Sequence, residues 1–254
     1  MVKSFIQTEI TSRNVASITL NRPEAHNALN GAMFLDIVNA LEDFEANPDI
    51  RLLVLRGNGK SFCAGADLKD AGTSTALSMP TVARKLQAFS RPVVTLLHGA
   101  CIGGGVAFAA VADVVIAAED TYFSIPEVRL GFNPASLIPM FNQAMGARNA
   151  LRYVLGGDRF DATKAYEMGL VHHLCSAGQL EETTAPIIDA LLAGGPQAII
   201  AAKQTMLELS GQIISEELAD HLAVVKKASG ESDEAAEGRA SFKEKRPPKW
   251  ALSR

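Results

Sequence analysis

The chain has 254 residues, of which 48% are hydrophobic, 20% are charged and 6% are aromatic. These proportions are typical of a globular protein and exclude a disordered or fibrous chain, and a core of this size needs no disulfide or metal site for stability. The formal net charge of −4 argues against a nucleic-acid-binding protein, because a basic surface supplies most of the affinity for phosphate.

The cysteines and the apolar stretches bear on compartment and membranes. The three cysteines are widely spaced and form no C-x-x-C motif, which favours a reducing compartment over a disulfide framework or a zinc site. The N-terminal segment lacks the apolar core of a signal peptide. The long apolar stretch at residues 100–118 contains three consecutive glycines and Asp113, which disfavour a membrane span. We therefore expect a cytoplasmic protein without a membrane segment.

The first half of the chain alternates predicted strands with predicted helices. Residues 5–10 and 15–20 are predicted to form a β-hairpin, and Asn30 is predicted to cap a helix that ends at Pro48. Further helices are predicted at residues 81–90 and directly after the glycines at 103–105. Continuous apolar runs, as expected of a parallel sheet covered on both faces, lie at residues 52–55, 93–97 and 114–117. This alternation predicts an α/β fold with a parallel sheet.

The second half is predicted to be mostly helical, with glycines between the helices. The predicted helices lie near residues 135–144, 147–155, 162–168, 179–193, 196–209, 215–228 and 233–246. The last helix begins with acidic and ends with basic residues, the order that the helix dipole favours, and Pro247 and Pro248 are predicted to stop it. Taken alone, this basic end is also compatible with a solvated helix surface.

Three segments have residue patterns that suit ligand chemistry. Residues 61–69 and 101–105 each follow a predicted buried strand and precede a helix, and small residues there let backbone N–H groups approach a ligand. The glycines at 103–105 also suit a tight strand-to-helix turn, and they match no dinucleotide or nucleotide-phosphate motif. Glu127 follows Pro126 in an apolar run, so it is either a buried acid–base group, a partner of Arg129 or a solvated loop carboxylate.

Taken in order, four segments resemble the signatures of the enoyl-CoA hydratase/isomerase (crotonase) superfamily. They read N-R-P-E-A-H-N-A-L-N from residue 21, G-K-S-F-C-A-G-A-D-L from residue 59, H-G followed by G-G-G from residue 98, and F-K-E-K-R-P from residue 242. The resemblance implies an α/β fold in which ββα units form a spiral, followed by a helical region that builds trimers, often paired into hexamers. We expect the spiral core at residues 1–195 and the C-terminal helical region at residues 196–254, as one continuous family domain.

The resemblance also implies an acyl-CoA thioester as substrate, with coenzyme A entering only as part of that substrate and with no metal or redox cofactor. By motif position, the N–H groups of Ala66 and Gly104 would bind the thioester oxygen, where preorganised donors stabilise developing negative charge. Glu127 would be the catalytic acid or base. The residues implied to contact coenzyme A or the acyl group are Ala25, His26, Ala28, Ala64, Asp67, Leu68, Lys69, Pro126, Leu130, Gly131, Phe242 and Lys245. Phe242 and Lys245 would reach the coenzyme A from the last helix, either within one chain or across a subunit boundary.

Several positions depart from the family pattern. Family hydratases place a second glutamate where this chain has Ala107, and some members place an acidic residue where it has Ala135. The phosphate-binding lysine often found after N-R-P is Glu24 here, and His26 is the candidate to replace it. One carboxylate is enough for a 1,3-proton shift along an enoyl-CoA. For hydration, this chain lacks the second glutamate, which would help to orient the water.

Residues 127–174 nevertheless resemble bacterial hydratases that act on branched or carboxylated enoyl-CoAs, several of which lack the first glutamate. We therefore expect a lyase that hydrates a 2-enoyl-CoA, with an enoyl-CoA isomerase as the closest alternative. A decarboxylase or a thioester hydrolase would use the same enolate stabilisation. A non-catalytic member of the fold, including one that contacts RNA, is the alternative outside catalysis. The expected partners are acyl-CoA and further copies of this chain as a trimer or a dimer of trimers, with no nucleic acid and no membrane.

Overall fold

The computed structural model of the chain describes residues 4–68, 77–209 and 216–251. Its strands are β1 (Ile6–Ile10), β2 (Val15–Leu20), β3 (Leu52–Gly57), β4 (Val93–Leu97), β5 (Ala100–Ile102), β6 (Val114–Ala118), β7 (Tyr122–Ser124), β8 (Arg159–Asp161) and β9 (His173–Cys175). Its α-helices are α1 (Gly31–Ala46), α2 (Met79–Gln87), α3 (Gly104–Val111), α4 (Ile138–Met145), α5 (Ala147–Gly156), α6 (Ala162–Glu167), α7 (Leu180–Ala193), α8 (Pro196–Glu208), α9 (Glu216–Gly230) and α10 (Asp233–Glu244). Two short 3-10 helices cover Pro23–Ala25 and Glu127–Leu130.

The main sheet has the strand order β1-β2-β3-β4-β6-β9. The β1–β2 hairpin is antiparallel and every later pairing is parallel, as the sequence predicted. Leu20 at the end of β2 lies opposite Gly57 at the end of β3. The loops that follow β2, β3 and β4 therefore leave the sheet at its carboxyl edge, where ligands bind in parallel α/β sheets.

A second, smaller sheet has the order β5-β7-β8 and was not predicted. Each of its strands has only three residues, too few to show an alternating pattern in the sequence. In it β7 is parallel to β5 and antiparallel to β8. Two isolated bridges, Cys63–Cys101 and Leu29–Ala66, extend this sheet across the motif loops.

The core lies on both faces of the main sheet, which is why its strands read as continuous apolar runs. On one face Leu53 and Leu55 join the large hydrophobic cluster that includes the apolar side of α1. On the other face Leu52 and Val54 join a smaller cluster with Leu192 of α7. The alternation of inward and outward residues along β3 follows the period of two of a strand.

The predicted helices of the second half are all present, and Asn30 caps α1 as predicted. The Met33 N–H donates to Asn30 Oδ1 over 2.9 Å. The end of the last helix differs from the prediction, because α10 stops at Glu244, before Pro247. Lys245 adopts a left-handed conformation with φ of 54°. Arg246 then turns back to pair with Glu237 over 2.6 Å.

The C-terminal segment is held at the amino edge of the main sheet. Arg51, which precedes β3, donates to the carbonyl oxygens of Trp250, Leu192 and Gly194 over 3.0, 3.2 and 2.9 Å. The Trp250 indole N–H donates to the Ala193 carbonyl over 3.1 Å. These contacts lie at the opposite end of the parallel strands from the motif loops. The expected division at residue 195 stays a prediction.

None of the helices described, taken singly, has the length and hydropathy of a membrane span. Helices α7 and α8 pass that test only as a pair, and the chain bends by 101° between them.

Candidate active site

Three neighbouring chain segments place the predicted catalytic positions together. Strands β5 and β7 are parallel, with Ile102 opposite Ser124, so the residues that follow each strand leave the small sheet at the same end. Gly104 comes two residues after Ile102, and Glu127 comes three residues after Ser124. Ala66 comes three residues after Cys63, which is bridged in parallel to the residue before Ile102.

The Ala66 amide is left free by the hydrogen bonds on either side of it. The Leu29 N–H donates to the Gly65 carbonyl over 2.7 Å, and the Asp67 N–H donates to the Leu29 carbonyl over 2.8 Å. Ala66 itself is exposed, and its N–H donates to none of the residues that the structure describes. Gly65 has φ of 89°, and a Cβ on it would lie 3.1 Å from the Ile102 carbonyl oxygen. The turn therefore brings this backbone directly against the next motif.

The second free amide lies at the start of α3. The Gly103 N–H donates to the Ser124 carbonyl over 2.9 Å. Gly104 is the first residue of the helix, where N–H groups have no acceptor within the helix, and its amide donates to no other residue in the described ranges. The helix dipole makes this end favourable for a developing negative charge.

Glu127 stands against the Gly103 turn. A Cβ placed on Gly103 would lie 2.7 Å from Glu127 Oε1 and 3.8 Å from the Gly65 Cα, so the carboxylate and the two glycine turns are close neighbours. Oε2 of Glu127 is buried and has no hydrogen-bond partner among the described residues. Burial raises the pKa of Glu127, because the charged form loses water. A raised pKa suits a group that accepts and returns a proton.

Arg129 is not the partner of Glu127, so the ion-pair interpretation is wrong. Its Nε donates instead to the Gly156 carbonyl over 2.9 Å. The solvated-loop interpretation is also wrong, because the Glu127 side chain is half-buried with one oxygen fully covered.

Asn27 joins the first motif loop to the second, a role that the sequence did not reveal. It is fully buried, and its Nδ2 donates to the carbonyl oxygens of Asn58 and Ser61 over 2.9 and 2.8 Å. Its Oδ1 accepts from the Arg22 N–H over 2.8 Å. The signal in the sequence was only an asparagine in a turn, and its φ of 56° is one that asparagine tolerates better than most residues.

The residues expected around the coenzyme A lie in these same two loops. The His26 carbonyl accepts from the Ala64 N–H over 2.9 Å, and His26 Nδ1 lies 3.2 Å from Ser61 Oγ. Asp67 pairs with Arg22 over 2.6 Å. Ala25 directly precedes His26, Ala28 lies two residues after it, and Leu68, with 59% of its surface exposed, follows Asp67. Lys69 lies outside the described residues.

The remaining expected positions divide into two groups. Pro126, Leu130 and Gly131 share the turn that carries Glu127, and Leu130 is half exposed. Phe242 and Lys245 are not brought to this place within one chain, since the segment around them is fixed to the amino edge of the sheet. Phe242 is 88% exposed.

The two positions at which the resemblance implied further acidic residues both carry alanine here. Ala107 is fully buried in the core on α3, and Ala135 is exposed between the Glu127 turn and α4. Cys63, beside Ala66, is also fully buried, and burial raises the pKa of its thiol to about 12, which keeps it protonated. In the described part of the chain, no group of three or more His, Cys, Asp or Glu side chains is placed to hold a metal ion.

Comparison with known proteins yields related sequences and structures over nearly the whole length. A family model described as Enoyl-CoA hydratase/isomerase matches residues 10–252. The chain is 31% identical to a 2,3-dehydroadipyl-CoA hydratase of Escherichia coli, covering 93% of this chain and 94% of that protein. It is 29% identical to a peroxisomal Delta(3,5)-Delta(2,4)-dienoyl-CoA isomerase of Arabidopsis thaliana, covering 98% and 99%. The crystal structure of an enoyl-CoA hydratase from Shewanella pealeana superposes with a TM-score of 0.91 at 33% identity, covering 97% and 96%.

Proposed function

Because the chain belongs to the enoyl-CoA hydratase/isomerase family, we propose that it adds water to the double bond of a 2-enoyl-CoA. Glu127 is the acid–base group, and the Ala66 and Gly104 amides form the oxyanion hole. The observation that carries the proposal is the half-buried Glu127 carboxylate standing against Gly103, next to the free Gly104 amide.

The proposed reaction begins with proton transfer to Glu127. The carboxylate takes a proton from a water molecule while the water oxygen bonds to the β-carbon of the acyl chain. The electron pair of the double bond moves toward the thioester and forms an enolate. Glu127 then returns the proton to the α-carbon, which regenerates the carboxylate and completes the addition of water. This sequence has no redox step and needs coenzyme A only as part of the substrate.

The two amides act on the enolate oxygen. Negative charge appears there only as the transition state is approached, so donors already aimed at that position lower the barrier without moving. Each donor contributes roughly 3–4 kcal/mol in comparable sites. Backbone donors also account for the glycines at 65 and 103, because side chains there would fill the space between the two turns.

The preference for hydration rests on resemblance, while the isomerase alternative rests on Ala107. The E. coli relative is named a hydratase of 2,3-dehydroadipyl-CoA, a carboxylated acyl group, which supports a branched or carboxylated substrate. The Arabidopsis relative is named an isomerase. With a methyl group at position 107, one carboxylate remains, and that is sufficient to remove a proton from C2 of a 3-enoyl-CoA and return it at C4.

The test compares the wild type with Glu127→Gln on crotonyl-CoA, on a 3-enoyl-CoA and on a panel of branched and carboxylated 2-enoyl-CoAs. We expect hydration by the wild type and a loss of about 10²–10⁴-fold in the variant. Glu167→Gln is the control, since Glu167 is an exposed carboxylate on α6 paired with Lys164. Turnover of the 3-enoyl-CoA alone would establish the isomerase alternative. Full activity of Glu127→Gln on the substrate that the wild type turns over would contradict both the hydratase and the isomerase proposals.

The proposed setting of the reaction follows from the same residues. We place the coenzyme A against the loops that carry His26, Ala64 and Leu68, and we propose that Phe242 and Lys245 of a second copy of the chain complete its binding. The assembly is a trimer or a dimer of trimers. The three buried free cysteines suit a reducing compartment such as the cytoplasm.

A further inference from the structure

We propose that Ser124 and Arg129 are positioning residues that fix Glu127 by tying both ends of its segment to the turn formed by Gly156 and Gly157. This inference rests on the proposed function, in which Glu127 transfers the proton. It adds two side chains that touch neither the substrate nor the reacting atoms.

The first attachment precedes Glu127. Ser124 is the last residue of β7 and is buried. Its hydroxyl donates to the Gly157 carbonyl over 3.1 Å, while its own carbonyl accepts from the Gly103 N–H over 2.9 Å. Ser124 therefore connects the glycine turn of the oxyanion hole with the Gly156–Gly157 turn.

The second attachment follows Glu127. Arg129 lies in the same 3-10 helix, and its Nε donates to the Gly156 carbonyl over 2.9 Å. Its aliphatic part covers Gly157, where an added Cβ would lie only 3.0–3.2 Å from Arg129 Cγ, Nε and Cδ. Gly157 has φ of 59°, so a glycine there serves both the turn and the close contact.

The Gly156–Gly157 turn is itself firmly supported. The Gly157 N–H donates to the Tyr153 carbonyl over 2.9 Å and ends α5. The Tyr153 ring packs on Phe160 of β8 at 4.2 Å, and Phe160 stacks on Phe123 of β7 at 5.3 Å. The turn and β7 are thus parts of one packed unit, which gives the two attachments a fixed base.

Glu127 depends on such attachments because its carboxylate has little else to orient it. Oε2 lacks a partner within the described ranges, and the backbone N–H that bonds to the carboxylate is that of Glu127 itself, in the same segment. The position of the reacting oxygens is then set by the backbone of residues 124–129. A displacement of about 1 Å at a reacting group can lower the rate by about 10²-fold.

The experiment measures kcat and KM of Ser124→Ala, Arg129→Met and Arg129→Gln on the substrate identified for the wild type. Glutamine carries an N–H donor at the atom position of the arginine Nε but no charge, whereas methionine has neither. We expect kcat to fall about 10–10²-fold in Ser124→Ala and Arg129→Met with KM within about twofold of the wild type. Arg129→Gln should stay within about threefold in kcat, because the hydrogen bond to Gly156 is kept.

The control is Arg13→Met, which removes an arginine ion pair with Asp189 of α7 over 2.7 Å, just before β2 at the amino edge of the main sheet. Its kcat should equal that of the wild type. Unchanged kcat in both Ser124→Ala and Arg129→Met overturns the inference, as does equal loss in Arg129→Gln and Arg129→Met. A raised KM with full kcat in Arg129→Met also overturns it, because that result indicates substrate binding.

Glu127→Gln in the same assay separates this inference from the proposed function. If Glu127→Gln is inactive while the Ser124 and Arg129 variants keep full kcat, only the positioning role is refuted. If Glu127→Gln keeps full activity, the proposed function itself is wrong. Because the Arg129 guanidinium lies at the surface, its variants are expected to fold, so the test does not depend on the buried Ser124 variant alone.

Discussion

At the scale of single residues, Glu127 combines a role in the site with a cost to stability. One of its oxygens is buried without a partner in the described part of the chain, and burial raises its pKa. A raised pKa means that the folded chain binds the proton more tightly than the unfolded chain. Between the ordinary value near 4.5 and the raised value, the free energy of unfolding therefore decreases as the pH rises.

Glu127→Gln should remove this pH-dependent loss, because the amide carries no charge at any pH in the range. We expect the unfolding free energy of the variant, relative to the wild type, to increase across the interval that begins at the ordinary value near 4.5 and ends at the raised pKa. Urea denaturation at several pH values measures this difference, with Glu167→Gln as the exposed control. A constant difference across that interval would contradict the raised pKa.

The sequence identified Glu127, Ala66 and Gly104 as candidates but not the residues that hold them. Glu127 was visible because a carboxylate in an apolar run is unusual, and the motif order supplied the two amides. Asn27 and Ser124 were not visible, since each binds a carbonyl oxygen more than thirty positions away in the chain. Such contacts depend on the tertiary path of the backbone, which leaves no local pattern.

At the scale of elements, the turn between β5 and α3 is where the site is least tolerant of change. Gly103 has φ of 52°, and an added methyl group would press on Glu127 Oε1 at 2.7 Å. Gly103→Ala should therefore displace either the carboxylate or the Gly104 amide, and we expect a loss of at least about 10² in kcat. Steady-state kinetics with circular dichroism as a folding check measure it.

Gly178→Ala is the matched control for this substitution. Gly178 also has a positive φ, 85°, but an added Cβ there meets nothing within 4 Å. Its alanine variant should lose about 1–2 kcal/mol of stability from backbone strain and keep its kcat. Equal kcat losses in both variants would mean that strain alone, and not contact with Glu127, explains the effect at Gly103.

Long elements were predicted well and short ones were not. Helix α1 was recognisable from its apolar spacing and its Asn30 cap, and β3 from a continuous apolar run. Strands β5, β7 and β8 escaped because three residues carry no periodicity. The early end of α10 also escaped, because the Arg246–Glu237 ion pair that turns the chain back is a tertiary contact.

At the scale of the whole molecule, the C-terminal region is fixed away from the site of its own chain. Arg51 and Trp250 hold it at the amino edge of the sheet. Several large apolar side chains of this region are exposed in the single chain, among them Met206, Val224 and Phe242. Contact with a second copy of the chain, as proposed above, would remove these side chains from water.

A mixed assembly tests whether Phe242 and Lys245 serve a neighbouring chain. Phe242→Ala combined with Lys245→Ala should raise KM about tenfold or more with little change in kcat, because both side chains would contact the coenzyme A and not the reacting atoms. Each tenfold change corresponds to about 1.4 kcal/mol of binding. Co-expressing that double variant with Glu127→Gln under two purification tags should restore low-KM turnover in part. Some sites would then combine an intact Glu127 from one chain with an intact Phe242 and Lys245 from the other chain.

The control for the co-expressed assembly is a mixture of the same two variants, purified separately and combined only in the assay. If the co-expressed assembly shows no more low-KM turnover than that mixture, Phe242 and Lys245 act on their own chain or do not bind the substrate. Light scattering of the same preparation gives the number of copies in the assembly.

The use of peptide N–H groups as donors has a consequence for how this scaffold diversifies. A peptide amide is present whatever side chain its residue carries, so the exposed Ala66 methyl and the neighbouring Leu68 are free to vary without removing a donor. Substitutions that change substrate preference can then accumulate around the site, while the hydrogen bonds to the thioester oxygen stay the same. Relatives of the same architecture are accordingly expected to differ in the acyl groups they accept before they differ in the charge they stabilise.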